Sequence, residues 1–229
     1  MYRRKIFASV LLSATFMLAV RADAAILFTT GAMAEIFTPV SFVEGASESS
    51  TGIAVLDEGI TVLSADVEVN VYGVGTFGDE PGPYLIVPAG TRVNSYLVHF
   101  DPIGGSLATL TGAVFFDPGE TIIGIQTHAP LLYTTDVPLG HPDAIYPGVF
   151  VSTRAFETFP GPDSVTIAPG LGSASFTLFA ELGVDQARIL TLAPVPEPSS
   201  IALAAMALAA MALAAVALVS RRRARPLAI

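Results

Sequence analysis

Between residues 25 and 192 the chain is a succession of short apolar runs separated by clusters of Gly, Pro, Asp and Asn. Val67-Glu68-Val69-Asn70-Val71 alternates strictly between apolar and polar positions. That period of two is the pattern of a half-buried strand, whose successive side chains point to opposite faces. Further runs predict strands over 53–56, 60–63, 84–87, 92–100, 113–116, 121–127, 149–153, 164–167, 174–180 and 187–192. Residues 32–37 fit a short helix or a strand. No stretch of this region has the 3.6-residue periodicity of an amphipathic helix. Many short strands at this spacing, with turn residues between them, predict an all-β domain built as a β-sandwich or jelly roll. The turn markers include 78–83, 101–105 and 117–120. The longest predicted loop is 128–148, and a Ser-rich stretch over 44–52 reads as a second exposed loop.

The two ends break this pattern. Arg3-Arg4-Lys5 precedes an apolar run over 6–20, and Ala22-Asp23-Ala24 then offers a small-x-small cleavage site. That order is the grammar of a secretory signal peptide, with cleavage expected after Ala24. At the other end, 193–200 is proline-spaced and favours an extended polyproline conformation. Residues 201–220 follow, almost wholly Ala, Leu, Met, Ile and Val. Twenty such residues in a helix span roughly 30 Å, the thickness of a bilayer core. Arg221, Arg222, Arg223 and Arg225 come next and are expected to hold 221–229 on the cytoplasmic side. The expected organisation is therefore a signal peptide (1–24), an acidic exterior domain (25–192), a linker (193–200), a transmembrane helix (201–220) and a basic tail (221–229).

Charge sharpens the picture. The region 25–192 holds eighteen of the twenty acidic residues and three bases, Arg92, Arg154 and Arg188, for a net charge of −15. Such a surface repels phosphate polymers and argues against nucleic-acid binding. Cysteine is absent, which removes disulfides, thiolate metal sites and cysteine nucleophiles.

Pro196-Glu197-Pro198, followed by the apolar span and the arginine cluster, resembles the PEP-CTERM sorting signal. The resemblance covers residues 195–225. It implies an exosortase as processing partner, cleavage near the Pro196-Glu197-Pro198 motif, and transient residence in the inner membrane of a Gram-negative host that makes an exopolysaccharide-rich matrix. Residues 90–102, GTRVNSYLVHFDP, are similar to blocks in other exterior domains that bear this tail.

Candidate chemistry inside the domain is sparse. Asp57-Glu58 and Asp79-Glu80 read as solvated turn charges rather than the facing carboxyl pair a glycosidase needs. His99 with Asp101, and His141 with Asp143, have the i, i+2 spacing that places two side chains on one strand face. No Gly-x-Ser-x-Gly elbow occurs, and Gly73-Val74-Gly75 lacks the rest of a phosphate-cradling pattern. No cofactor or metal is expected; if an ion braces the loops, calcium fits an acidic domain without cysteine, and Asp101, Asp117, Asp136 and Asp143 are the weak turn-borne candidates. Tyr133 and Tyr146, at opposite ends of the long loop, are the candidate sugar platforms. The reading is a non-enzymatic surface or matrix protein. A carbohydrate-binding module for the exopolysaccharide and a matrix glycan hydrolase are the alternatives.

Overall fold

A computed structural model describes residues 25–37, 40–78, 83–147, 154–156, 163–180, 183–193 and 208–211. The fold is mostly strand, with no closed barrel. Sheet A runs β1 (Ile26–Gly31), β8 (Ala108–Phe116), β11 (Ser173–Ala180), β10 (Ser164–Ile167) and β5 (Gly75–Phe77). Sheet B runs β2 (Met33–Ile36), β3 (Ile53–Val62), β7 (Arg92–Phe100), β12 (Asp185–Leu192) and β9 (Thr121–Gln126). A two-stranded ribbon pairs β4 (Val67–Val69) with β6 (Leu85–Val87). The helix α1 (Ala129–Leu139) and a 3-10 turn at Ile103–Gly105 complete the described elements of this unit, which spans Ala24–Pro194.

Alternation along the strands divides each sheet into two faces. Val114, Phe176 and Leu178 of sheet A and Val55, Tyr96, Val98 and Ile189 of sheet B belong to one buried cluster. Burial of that apolar area, at about 25 cal/mol per Å², is the main favourable term. The opposite face of sheet B is covered as well. Phe42, Leu56 and Leu97 pack with Tyr146 at one end, and Val67, Val69, Val87, Val93, Leu139 and Leu190 pack at the other. All of these apolar clusters close within Ala24–Pro194. Charge divides the sheets too. The five strands of sheet A hold no Asp, Glu, Lys, Arg or His, whereas those of sheet B carry Glu35, Asp57, Glu58, Arg92, His99, Asp185 and Arg188.

Most strand expectations hold, with ±1–5 residue changes at the ends. The runs 53–56 and 60–63 are one strand, β3, rather than two. The register slips between Asp57 and Gly59, so a β-bulge, not a turn, separates the two apolar stretches. Gly59 (φ +98°) supplies the left-handed backbone that this needs. Residues 32–37 hold a strand, and β1 and β5 are additional to the predicted set. The loop expected over 128–148 begins instead with α1. Its buried residues are Ala129, Leu131, Leu132, Thr135, Asp136 and Leu139, and the two polar ones hide the apolar signal. The strand expected over 149–153, the signal peptide, Ala22 and Ala24, the Pro196-Glu197-Pro198 motif and the four tail arginines lie outside the described residues. Residues 208–211 form a turn of helix. Among the described residues no helix is long and apolar enough to cross a membrane.

The chain passes from sheet A to sheet B through Ala32. Its N–H donates to the Thr111 carbonyl at 2.9 Å, and its own carbonyl accepts the Ile53 N–H at 2.9 Å. Gly112 of β8 lies directly against this crossing: a Cβ there would stand 2.6 Å from Met33 Cβ and 2.7 Å from Met33 N. We expect Gly112→Ala to cost about 1–3 kcal/mol by overpacking. Urea-unfolding midpoints measure it, and an unchanged midpoint would show that the crossing relaxes freely.

Candidate functional site

The centre of the covered face of sheet B is polar rather than apolar. Arg188 projects from β12 onto this face, beside Leu97 of β7. Glu58 reaches the same place from the bulge of β3, across the small Ser95 of β7. Arg188 Nε donates to Glu58 Oε2 at 2.8 Å and Nη2 donates to Oε1 at 2.9 Å. This fork-on-fork geometry suits a planar guanidinium and a carboxylate. Both side chains are fully buried.

α1 closes over the pair. Its inner stripe delivers Thr135, whose Oγ1 accepts from Arg188 Nη1 at 2.8 Å, and Asp136, whose Oδ1 accepts from Nη2 at 3.0 Å. The Leu132 carbonyl accepts from Nη1 at 3.3 Å. The five guanidinium hydrogens thus match five accepted bonds. Glu58 is equally saturated: besides the two Arg188 bonds it accepts Ser95 Oγ–H at 2.6 Å and Tyr146 O–H at 2.6 Å. The Tyr146 ring also lies 5.7 Å from the guanidinium carbon, within reach of a cation–π contact.

A second arginine extends the chain of contacts. Arg154 donates through both terminal nitrogens to Asp136, with Nη2 to Oδ1 at 2.8 Å. Its Nε donates to Gln186 Oε1. Because arginine only donates, that bond fixes the Gln186 amide, and its Nε2 must donate to the Phe42 carbonyl and to His99 Nδ1, both at 2.9 Å. His99 therefore carries its proton on Nε2, a buried atom with no hydrogen-bond partner among the described residues. Two arginines and two carboxylates make this interior formally neutral.

The titration tendencies follow from the burial. Burial alone would lower the Arg188 pKa, but the charges of Glu58 and Asp136 outweigh it and hold the guanidinium firmly ionised. Burial, then the Glu58 charge, pushes the Tyr146 phenol up. Burial, with the Arg154 charge added, pushes His99 down from 6.5 to about 3. On the core side of sheet B sits a smaller buried cluster. Glu120 accepts the Tyr96 hydroxyl at 2.9 and 2.8 Å and the Thr191 hydroxyl at 3.1 Å. Its carboxyl is raised, mainly by burial.

The sequence-predicted site residues are redistributed. Glu58 is no solvated turn charge, because the bulge turns it inward onto Arg188. Asp57 stays in β3 and accepts the Gly59 N–H at 2.8 Å. Asp136 is not in a turn but in α1, bound to two arginines. Asp101 follows β7, and its Oδ2 accepts the Gly45 N–H at 2.7 Å, which ties down the Ser-rich loop. Asp117 opens the turn after β8, where its carbonyl accepts the Glu120 N–H at 3.0 Å. Asp143 is exposed, in a local turn where its N–H donates to His141 Nδ1 at 3.1 Å. Among the described residues no group of three or more His, Asp or Glu side chains converges as a metal site. His99 binds Gln186 rather than Asp101. Tyr146 is spent on Glu58, while Tyr133 stands exposed on α1. Asp79 and Glu80 lie outside the described residues. Sequence reading missed Arg154, Arg188, Thr135 and Gln186. The available signal was Arg188 itself, a lone charge inside the apolar run of β12.

Compared with known protein families, with curated proteins and with solved structures, the chain matches none.

Removing one member of a buried ion pair strands its partner. Arg188→Met should cost about 3–5 kcal/mol, and adding Glu58→Gln should recover part of that loss. Chemical denaturation of the single and double variants measures both; an additive double variant would refute the coupling. His99 adds a pH effect. Below pH 6.5 the unfolded chain takes up a proton that the folded His99 refuses until about pH 3. Stability should therefore fall as pH falls through that window, by up to about 1.4 kcal/mol per pH unit. His99→Gln should flatten this part of the pH–stability curve, and equal slopes in both proteins would exclude the assignment.

Proposed function

We propose that this chain is an exported surface or extracellular-matrix protein with a non-enzymatic, structural or interaction role. Its exterior domain is a β-sandwich, preceded by a cleaved signal peptide and followed by a single transmembrane helix. An exosortase recognises Pro196-Glu197-Pro198 outside the inner membrane, while Arg221, Arg222, Arg223 and Arg225 hold the tail inside. The mature protein then resides at the cell surface or in the matrix.

One observation carries the non-enzymatic reading. The strongest concentration of charged groups among the described residues, Arg188, Glu58, Asp136 and Arg154, is closed on itself and buried. Catalytic groups act by presenting unfilled donors or acceptors to a substrate. Here the guanidinium of Arg188 and the carboxylate of Glu58 are filled by protein partners, as suits a brace that locks α1 onto sheet B. Lacking disulfides, an exported domain gains from such an internal clamp. Calcium is not needed for this reading, since Asp136 is engaged by arginines. The carbohydrate-binding alternative is favoured by a different feature, the uncharged outer face of sheet A.

The sorting mechanism makes a specific demand on the tail. Glu197 is the charged handle of the motif, and the arginines set its depth. We expect Glu197→Ala, or replacement of the four arginines by Ser, to leave the C-terminal segment attached. Intact-mass measurement of the exported protein detects this, and normal maturation of both variants would sink the mechanism.

A further inference from the structure

Of the two five-stranded sheets, only sheet A is built from strands without charge. Its five strands, 30 residues in all, contain no ionisable side chain. Many outward positions are instead hydroxyls set in rows by the strand register, with Ala113, Phe115 and Phe179 among them. Thr76, Thr166 and Ser175 stand side by side on β5, β10 and β11, all exposed. The Thr76 and Thr166 hydroxyls are 2.8 Å apart. One row along, Thr177 faces Thr111 of β8, their hydroxyls 3.3 Å apart. On the other side of the first row, towards β1, Phe28 and Phe115 stack with ring centroids 4.3 Å apart, and Phe28 is 48 % exposed.

Such a face is unusual for a domain of net charge −15. Exposed strands ordinarily carry charges that keep them soluble and discourage pairing. Short Ser and Thr side chains leave the surface flat and lose little freedom on contact. Each hydroxyl both donates and accepts, so it matches another hydroxyl in either sense. The rows repeat at about 4.8 Å across strands and about 6.7 Å along them. The stacked phenylalanines add an apolar platform of the kind that takes the C–H face of a sugar ring.

From this we infer that the outer face of sheet A is a binding surface for a neutral polysaccharide. Charge decides the occupant. Anionic polymers and nucleic acids are repelled by the body, and a second copy would bring an equal negative field against it. An uncharged, hydroxyl-rich polymer meets neither penalty at a face whose strands offer hydroxyls and no charge. Single contacts of this kind are weak, and a repeating polymer multiplies them. The inference deepens the proposed surface role, because it rests on the body lying outside the cell, where such a polymer is met.

The test uses the purified full chain and, in parallel, its Ala24–Pro194 unit, which closes its own cores. Each is co-sedimented with insoluble neutral glucans, and with cross-linked alginate as the anionic polymer. We expect retention on a neutral glucan, none on alginate, and at least a tenfold loss of affinity in the Thr111→Val/Thr177→Val pair, which removes two hydroxyls while keeping shape. Phe28→Ala should weaken binding as well, and Tyr133→Ala on α1 should not. Absence of retention on every neutral polymer, retention unchanged in the valine pair, or loss confined to Tyr133→Ala would overturn the inference. So would self-association abolished by Phe28→Ala, or affinity for ice without affinity for glucan. Failure here with normal tail processing sinks only the glycan surface; glycan binding without tail processing sinks only the sorting account.

Discussion

A guanidinium taken wholly out of water must find a partner for each of its hydrogens, and Arg188 organises half of this molecule by that demand. Its position in a central strand of sheet B is fixed by the ladder with β7 and β9. Everything brought to it comes from elsewhere in sequence: Glu58 from a bulge, Thr135 and Asp136 from a helix, Tyr146 from the segment beyond that helix. The desolvation cost of the charge is offset only because these groups arrive together with good geometry. Remove Arg188 and Glu58 of the sheet and Asp136 of α1 lose the cation they share. The brace therefore specifies which segment covers this face, as well as how firmly it does so.

The legibility of the fold in the sequence follows from which side of each sheet is apolar. β7 and most of β12 were readable because both the core and the covering layer demand apolar residues of them, whereas β10 was readable from the alternation of buried Val165 and Ile167 with Ser164 and exposed Thr166. β8 was read only from residue 113, since its first half alternates with outward threonines that look like loop. α1 escaped because Thr135 and Asp136 occupy its buried stripe, so the property that makes the helix important also hides it. The site was illegible for the same reason. Reading Asp57-Glu58 as solvent charges assumes that acids in an acidic protein face water. That assumption fails at Glu58, where Gly59 allows the strand to bulge and continue.

The two sheets divide the physical tasks of the chain between them. Sheet B concentrates the ionisable groups of the strands and buries the decisive ones under its cover. Sheet A supplies the apolar half of the core on one side and an uncharged hydroxyl lattice on the other. This separation keeps ionisable groups out of the strands of the hydroxyl face, while the net charge of the body still acts there at longer range.

The place of β12 has a mechanical consequence. It is the last strand of the body, yet it lies inside sheet B, hydrogen-bonded to β7 on one side and β9 on the other. A tug delivered through the carboxyl end enters at Leu192 and cannot peel away a border strand one rung at a time. Two ladders, and the clamp that Arg188 forms with α1, must give way together. A protein held by that end is thus gripped at its strongest seam, while the opposite terminus leads into β1, a border strand that yields first.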